Sequence, residues 1–156
     1  MNNRIKITIS WASVFIWMFL IFRLSSQGAS ESNGLSLGIT DWIYSFFAGS
    51  ASFDMEAVNH FVRKGAHFSA YLILALLTSN ALRKTGFPGW RNFVMAFAIC
   101  AMYAVSDEIH QLFIPGRSGQ PLDVLIDSSG AAAGLGIHAA SRWLAGKKHT
   151  KNRPSN

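Results

Sequence analysis

A chain of 156 residues has room for one domain. This one is half apolar with only 14 % of its residues charged, more apolar than a soluble domain of ordinary composition requires. The formal charge of +6 would suit a nucleic-acid partner, but the bases sit at the ends of apolar segments rather than along one face, which excludes that partner and points to membrane topology.

Arg4 and Lys6 precede residues 7–22, a run of apolar and aromatic residues that carries no charge. A basic start followed by an apolar run also describes a signal peptide. Bulky Trp11, Phe15, Trp17, Phe19 and Phe22, followed by the poor cleavage context SSQGAS, favour an uncleaved anchor over residues 1–22. Residues 23–53 form a connection whose SSQGASESNGLSLG stretch predicts a flexible outer loop. Within it, residues 41–47 (DWIYSFF) are too short to span and predict an interfacial or re-entrant segment.

Asp54 is placed to cap a helix that begins DMEAVNHFVRKGAHF and continues into the apolar residues 68–77. Along it Glu56, His60, Lys64, His67 and Tyr71 recur at steps of three and four, one polar stripe running into a span. The upper part of that stripe reads as a solvated face, and His67 and Tyr71 as interior-facing. This span ends near Leu82, and Arg83, Lys84 and Arg91 flank the turn TGFPG. A third span covers residues 93–113 and a fourth residues 122–144, the latter with Gly130 and Gly134 in a GxxxG that permits close helix approach. Residues 146–156 are a basic polar tail expected to be disordered. Cys100, the one cysteine, lies in an apolar run and cannot form an intrachain disulfide.

The chain thus reads as all-α, an integral membrane bundle of four transmembrane helices with a core over residues 54–145. The N-terminus, the 83–91 turn and the tail carry the excess of Lys and Arg, which orients both termini to the cytoplasm and the Arg117 turn to the outside. Lys64 and His67 then lie at the outer end of the second span, Asp107, Glu108, His110 and Gln111 at the outer end of the third, and Asp123 and Asp127 at that of the fourth. At ~1.5 Å rise per residue, Asp107 is roughly 9 Å below Phe113 and Asp127 roughly 9 Å below Pro121, so their depths match. Charges inside a span are costly unless paired, hydrated or facing the bundle interior, and are functional candidates for that reason.

RKGAHFSAYLILAL (63–76), SDEIHQLFIPGR (106–117) and PLDVLIDSSGAAAG (121–134) together resemble the VanZ-like membrane proteins over roughly residues 57–144. The matching positions are Lys64, His67, Tyr71, Asp107, Glu108, Gln111, Arg117, Asp123 and Gly130, whereas Asp127 falls where the family carries Asn or Asp. The long first loop and His110 have no counterpart in that pattern. The resemblance implies a bacterial envelope protein in the cytoplasmic membrane, in a family named for a protein associated with teicoplanin resistance. It implies no particular reaction.

Three functional classes follow from the residues. In an enzyme, His67 or Glu108 is the candidate general base, with Asp107 orienting it, and Lys64 and Arg117, beside Tyr71 and Gln111, neutralise an anionic or lipid-linked envelope substrate. Asp107, Asp123, Asp127 and His110 are candidates for holding a divalent cation, although neither an HExxH nor a cysteine pair marks zinc. In a binding module the same residues recognise a headgroup without turnover. In a structural protein they form an ion-pair network that pins the helix ends. Transport fits least, because no polar path continues to the cytoplasmic end.

Overall fold

The computed structural model of the chain describes residues 2–28, 34, 36–42, 45 and 54–151. Four long helices carry the fold: α1 (Asn3–Ser25), α2 (Met55–Lys84), α3 (Trp90–Gln111) and α4 (Pro121–Lys151), with no strand among the described residues. The helices start where local chemistry allows. Asn2 accepts from the Arg4 amide at 3.3 Å, Asp54 accepts from the Glu56 amide at 3.0 Å as its capping position predicts, and Pro121 opens α4 at the one helical position where its missing N–H is harmless. α2 stops at a turn in which the Phe87 amide donates to the Leu82 carbonyl at 3.0 Å and Gly86 adopts φ 96°.

α1, α2 and α3 are each long and apolar enough to cross a bilayer; the 23 residues of α1 alone reach about 35 Å. α4, expected as the fourth span, is 31 residues long but falls short of the same apolar standard. Asp123, Asp127, Ser128 and Ser129 at one end and Arg142 with the following lysines at the other dilute its apolar stretch. It also continues to Lys151, past the expected end at 144 and into the segment expected to be disordered, where the Lys147 ammonium lies 3.6 Å from the centre of the Trp143 ring. α1 runs three residues beyond its expected end, so Ser25 belongs to the helix and not to the loop. Of the expected interfacial segment at 41–47, Asp41, Trp42 and Ser45 are helical, and the other positions lie outside the described residues.

α2 is the central helix, packing most extensively against α4 and also against α1 and α3. The buried faces repeat every three, four or seven residues: Ser10, Val14, Ile21 and Ser25 on α1; Ala96, Cys100, Ala104, Asp107 and Gln111 on α3; Asp123, Asp127, Ala131 and Leu135 on α4. Small residues on these faces let the helices approach closely, as bundles in lipid require. The closest approach is between α2 and α4, where a Cβ on Gly130 would meet the Phe68 carbonyl and one on Gly134 the Leu72 carbonyl. Both partners advance by four residues, so the two helices run parallel.

Side-chain hydrogen bonds to backbone carbonyls, which use their second lone pair, tie α1 to the other helices. The Trp17 indole donates to the Ala70 carbonyl at 2.9 Å, and the Tyr103 hydroxyl to the Met18 carbonyl at 2.6 Å. Away from the core, Phe15, Phe19, Met102, Val105, Leu125 and Ile137 are exposed, an apolar exterior suited to lipid.

Candidate functional site

Each buried stripe ends in polar residues at the same end of the bundle. On α2 the apolar Leu74 and Ala75 give way, toward the helix start, to Tyr71, His67 and Lys64. On α3 Cys100 and Ala104 lead to Asp107, Glu108 and Gln111; on α4 Ala131 leads back to Asp127 and Asp123. The parallel register of α2 and α4 then pairs Lys64 with Asp123, which are in direct contact, and sets His67 Nδ1 3.4 Å from Asp127 Oδ1.

Asp107 occupies the centre. Its Oδ2 accepts from the Ser25 hydroxyl of α1 at 2.8 Å and from the Gln111 amide at 3.3 Å, while its Oδ1 has no hydrogen-bond partner among the described residues. Donor atoms of His67, Asp107 and Asp127 all lie within 4.8 Å of one another. Glu108 leans the other way: its Oε2 accepts from the Gln120 backbone amide at 2.7 Å and so fixes the turn that leads into α4. Tyr71 is fully buried with its hydroxyl unpartnered among the described residues.

Arg117 enters through a turn. Ile114, Pro115, Gly116 and Arg117 have the residue order of a type II turn, with Gly116 at φ 75° and the Arg117 amide donating to the Ile114 carbonyl at 3.1 Å. Burial lowers the Arg117 pKa and Arg63 lowers it further, against the opposite pull of Asp107, Glu108 and Asp123; a guanidinium remains charged throughout the physiological range.

Two cavities are lined in part by the same residues of this cluster. One, of about 280 Å³, is walled by Ile21, Leu24, Ile39, Val62, Ala66 and Ala70 and is bordered by Arg63, His67 and Arg117. The other, of about 140 Å³, is polar and is lined by the same Arg63, His67 and Arg117 together with His60, Lys64, Gln111 and Asp123. His67 and the two guanidinium groups therefore stand between an apolar slot and a polar, predominantly cationic chamber.

The sequence-predicted residues divide accordingly. Lys64, His67, Tyr71, Asp107, Glu108, Gln111, Arg117, Asp123 and Asp127 come to one end of the bundle. His110 is turned toward α1: its Nε2 is 3.1 Å from the Ser26 hydroxyl and its ring lies against Phe22, 4.5 Å between centres, while its interaction with Asp107 is through space. Ser25 and Arg63 were missed. Ser25 sits in SSQ immediately after an apolar run, which is a signal that a polar helix end lies at the depth of the other polar groups, and Arg63 adjoins Lys64 in the stripe already singled out.

Across residues 10–142 the chain matches the family described as VanZ/LLP1. No curated protein and no solved structure matches it.

Proposed function

The chain belongs to the VanZ/LLP1 family, and from that premise we propose that it is a bacterial envelope protein whose polar cluster binds the anionic headgroup of an envelope lipid. In this reading four helices cross the cytoplasmic membrane, both termini face the cytoplasm and the cluster opens on the outer side. The observation that carries it is that Arg63, His67 and Arg117 line both cavities. An amphiphile with a phosphate headgroup needs a cationic chamber next to an apolar slot, and guanidinium groups match phosphate in both charge and geometry. His67, Asp107 and Glu108 would act on a bound headgroup by proton transfer if the protein is catalytic; the binding step is common to both cases.

The test is mass spectrometry of lipids retained by the full chain purified from membranes. The expected result is a phosphate-bearing lipid enriched over its share of the bulk membrane, and at least fivefold less of it on Arg117→Ala at equal protein abundance. Anionic phospholipid and polyprenyl phosphate are separate arms of that measurement. Retention that matches the bulk membrane, or that Arg117→Ala leaves intact, contradicts the proposal. The association of the family's namesake with teicoplanin resistance extends the reading: expression of the wild type, and not of Arg117→Ala, is expected to lower teicoplanin susceptibility.

A structural reading is favoured by one contact, the Lys64–Asp123 pair. If the charges serve only to join helices, Arg117→Ala and Lys64→Ala lower abundance and lipid retention by the same factor.

A further inference from the structure

We propose that His67, Asp107 and Asp127 form a binding site for one divalent cation of the class served by mixed imidazole and carboxylate donors, Zn²⁺ or Mn²⁺. The three residues come from α2, α3 and α4, and the assignment stands on them alone, whatever enters the neighbouring cavities. Their donor atoms lie within 4.8 Å of one another. With metal–ligand bonds of about 2.0–2.2 Å, the ligand atoms of a tetrahedral site are about 3.3–3.6 Å apart, so binding would draw these atoms together by at most about 1.5 Å.

Asp127 gives the first reason to place an ion here. It is fully buried, both of its carboxylate oxygens lack a hydrogen-bond partner among the described residues, and the nearest candidate, His67 Nδ1, is at 3.4 Å, longer than a hydrogen bond of normal length. Asp107 gives the second. Only 3 % of it is exposed, and the Ser25 hydroxyl and Gln111 amide both hold Oδ2, so the orientation is set from behind while Oδ1 stays unpartnered. Carboxylates that ligate metals are commonly held in this way by outer partners.

Charge gives the third. Lys64 is engaged with Asp123, Asp127 pairs with the His67 imidazole, and Asp107 faces that same imidazole together with the more loosely placed charges of His110 and Arg117. Burying a carboxylate without compensation is strongly unfavourable; a protonated His67 supplies one positive charge, and a dication supplies two. One nitrogen and two carboxylates without a thiolate suit Zn²⁺ and Mn²⁺ among the common ions. Three protein ligands also leave a coordination position open, and His67 lines both cavities.

The experiment is calorimetric titration of the tag-free full chain in detergent, stripped with EDTA, using ZnCl₂ and, separately, MnCl₂. The expected result is one saturable equivalent per chain for at least one ion. Asp127→Asn and His67→Gln are each expected to weaken it at least about 100-fold, and Ser25→Ala about tenfold by freeing Asp107. His138→Ala, at the far end of α4, leaves it unchanged. A folded wild type that binds neither ion saturably overturns the proposal, as does full retention of binding in His67→Gln and Ser25→Ala. The wild-type and Ser25→Ala titrations decide the matter even if Asp127→Asn fails to fold.

Discussion

Lys64 and Asp123 meet at the mouth of the polar chamber, both still partly accessible, with side-chain exposures of 18 % and 11 %. Removing one partner of a fully buried pair costs ~3–5 kcal/mol, chiefly by stranding the other charge; partial hydration here reduces the expected loss for Lys64→Ala to about 1–3 kcal/mol. Lys64→Ala combined with Asp123→Ala is expected to recover most of that loss, because no charge is then stranded. A double-mutant cycle of thermal unfolding in detergent measures it. A second expectation concerns His110. Its neighbours are Ser26 and Phe22, so His110→Ala is expected to lower stability by no more than about 1–2 kcal/mol and to leave Zn²⁺ titration within twofold of wild type.

The reason His110 was legible only in part is angular. On a helix of 3.6 residues per turn, a residue three positions on is displaced by about 60° and one four positions on by about 40° in the other direction. Gln111, at the fourth position, turns toward Asp107 and donates to it; His110, at the third, turns toward α1. Spacing gathered the polar face but did not say which side of it α1 would occupy.

At the scale of helices, the register between α2 and α4 sets the site. Gly130 and Gly134 rest against the carbonyls of Phe68 and Leu72, about one and two turns along α4 from Asp127. A Cβ at either glycine has no room, so Gly130→Ala and Gly134→Ala are each expected to cost about 1–3 kcal/mol through overpacking and to displace Asp127 from His67. Gly136→Ala, with open space beside it, is expected to change stability by less than about 0.5 kcal/mol. Fluorescence-detected size exclusion after a heating series compares the three. The GxxxG was readable as a packing motif from spacing alone, since small residues four apart share one face. That its partner is α2 depends on tertiary contact. So does the role of Ser25, which follows an apolar run, resembles the start of a linker, and becomes part of the site only because α1 continues far enough to reach Asp107.

For the whole molecule, the ends of the bundle differ in kind. Exposed Trp90 and Trp143 stand beside Arg91 and Arg142 at one end, a combination of interfacial aromatics and bases suited to a membrane–water boundary. The carboxylates and His67 gather at the other. Four spans were expected from the sequence, and three of them are helices long and apolar enough to cross a bilayer. α4 escapes that measure because its buried face carries Asp123 and Asp127 and its packing depends on glycine and alanine, residues of little hydropathy that are valuable for close approach. The parallel course it shares with α2 starts both helices at the same end of the bundle. The central claim is that the polar cluster opens away from the cytoplasm, and cysteine labelling in intact cells tests it most directly. With Cys100 replaced by Ala, Ser118→Cys is expected to react with a membrane-impermeant maleimide in intact cells, and Gly86→Cys only after permeabilisation. Reaction of Gly86→Cys in intact cells, with Ser118→Cys protected, would contradict it.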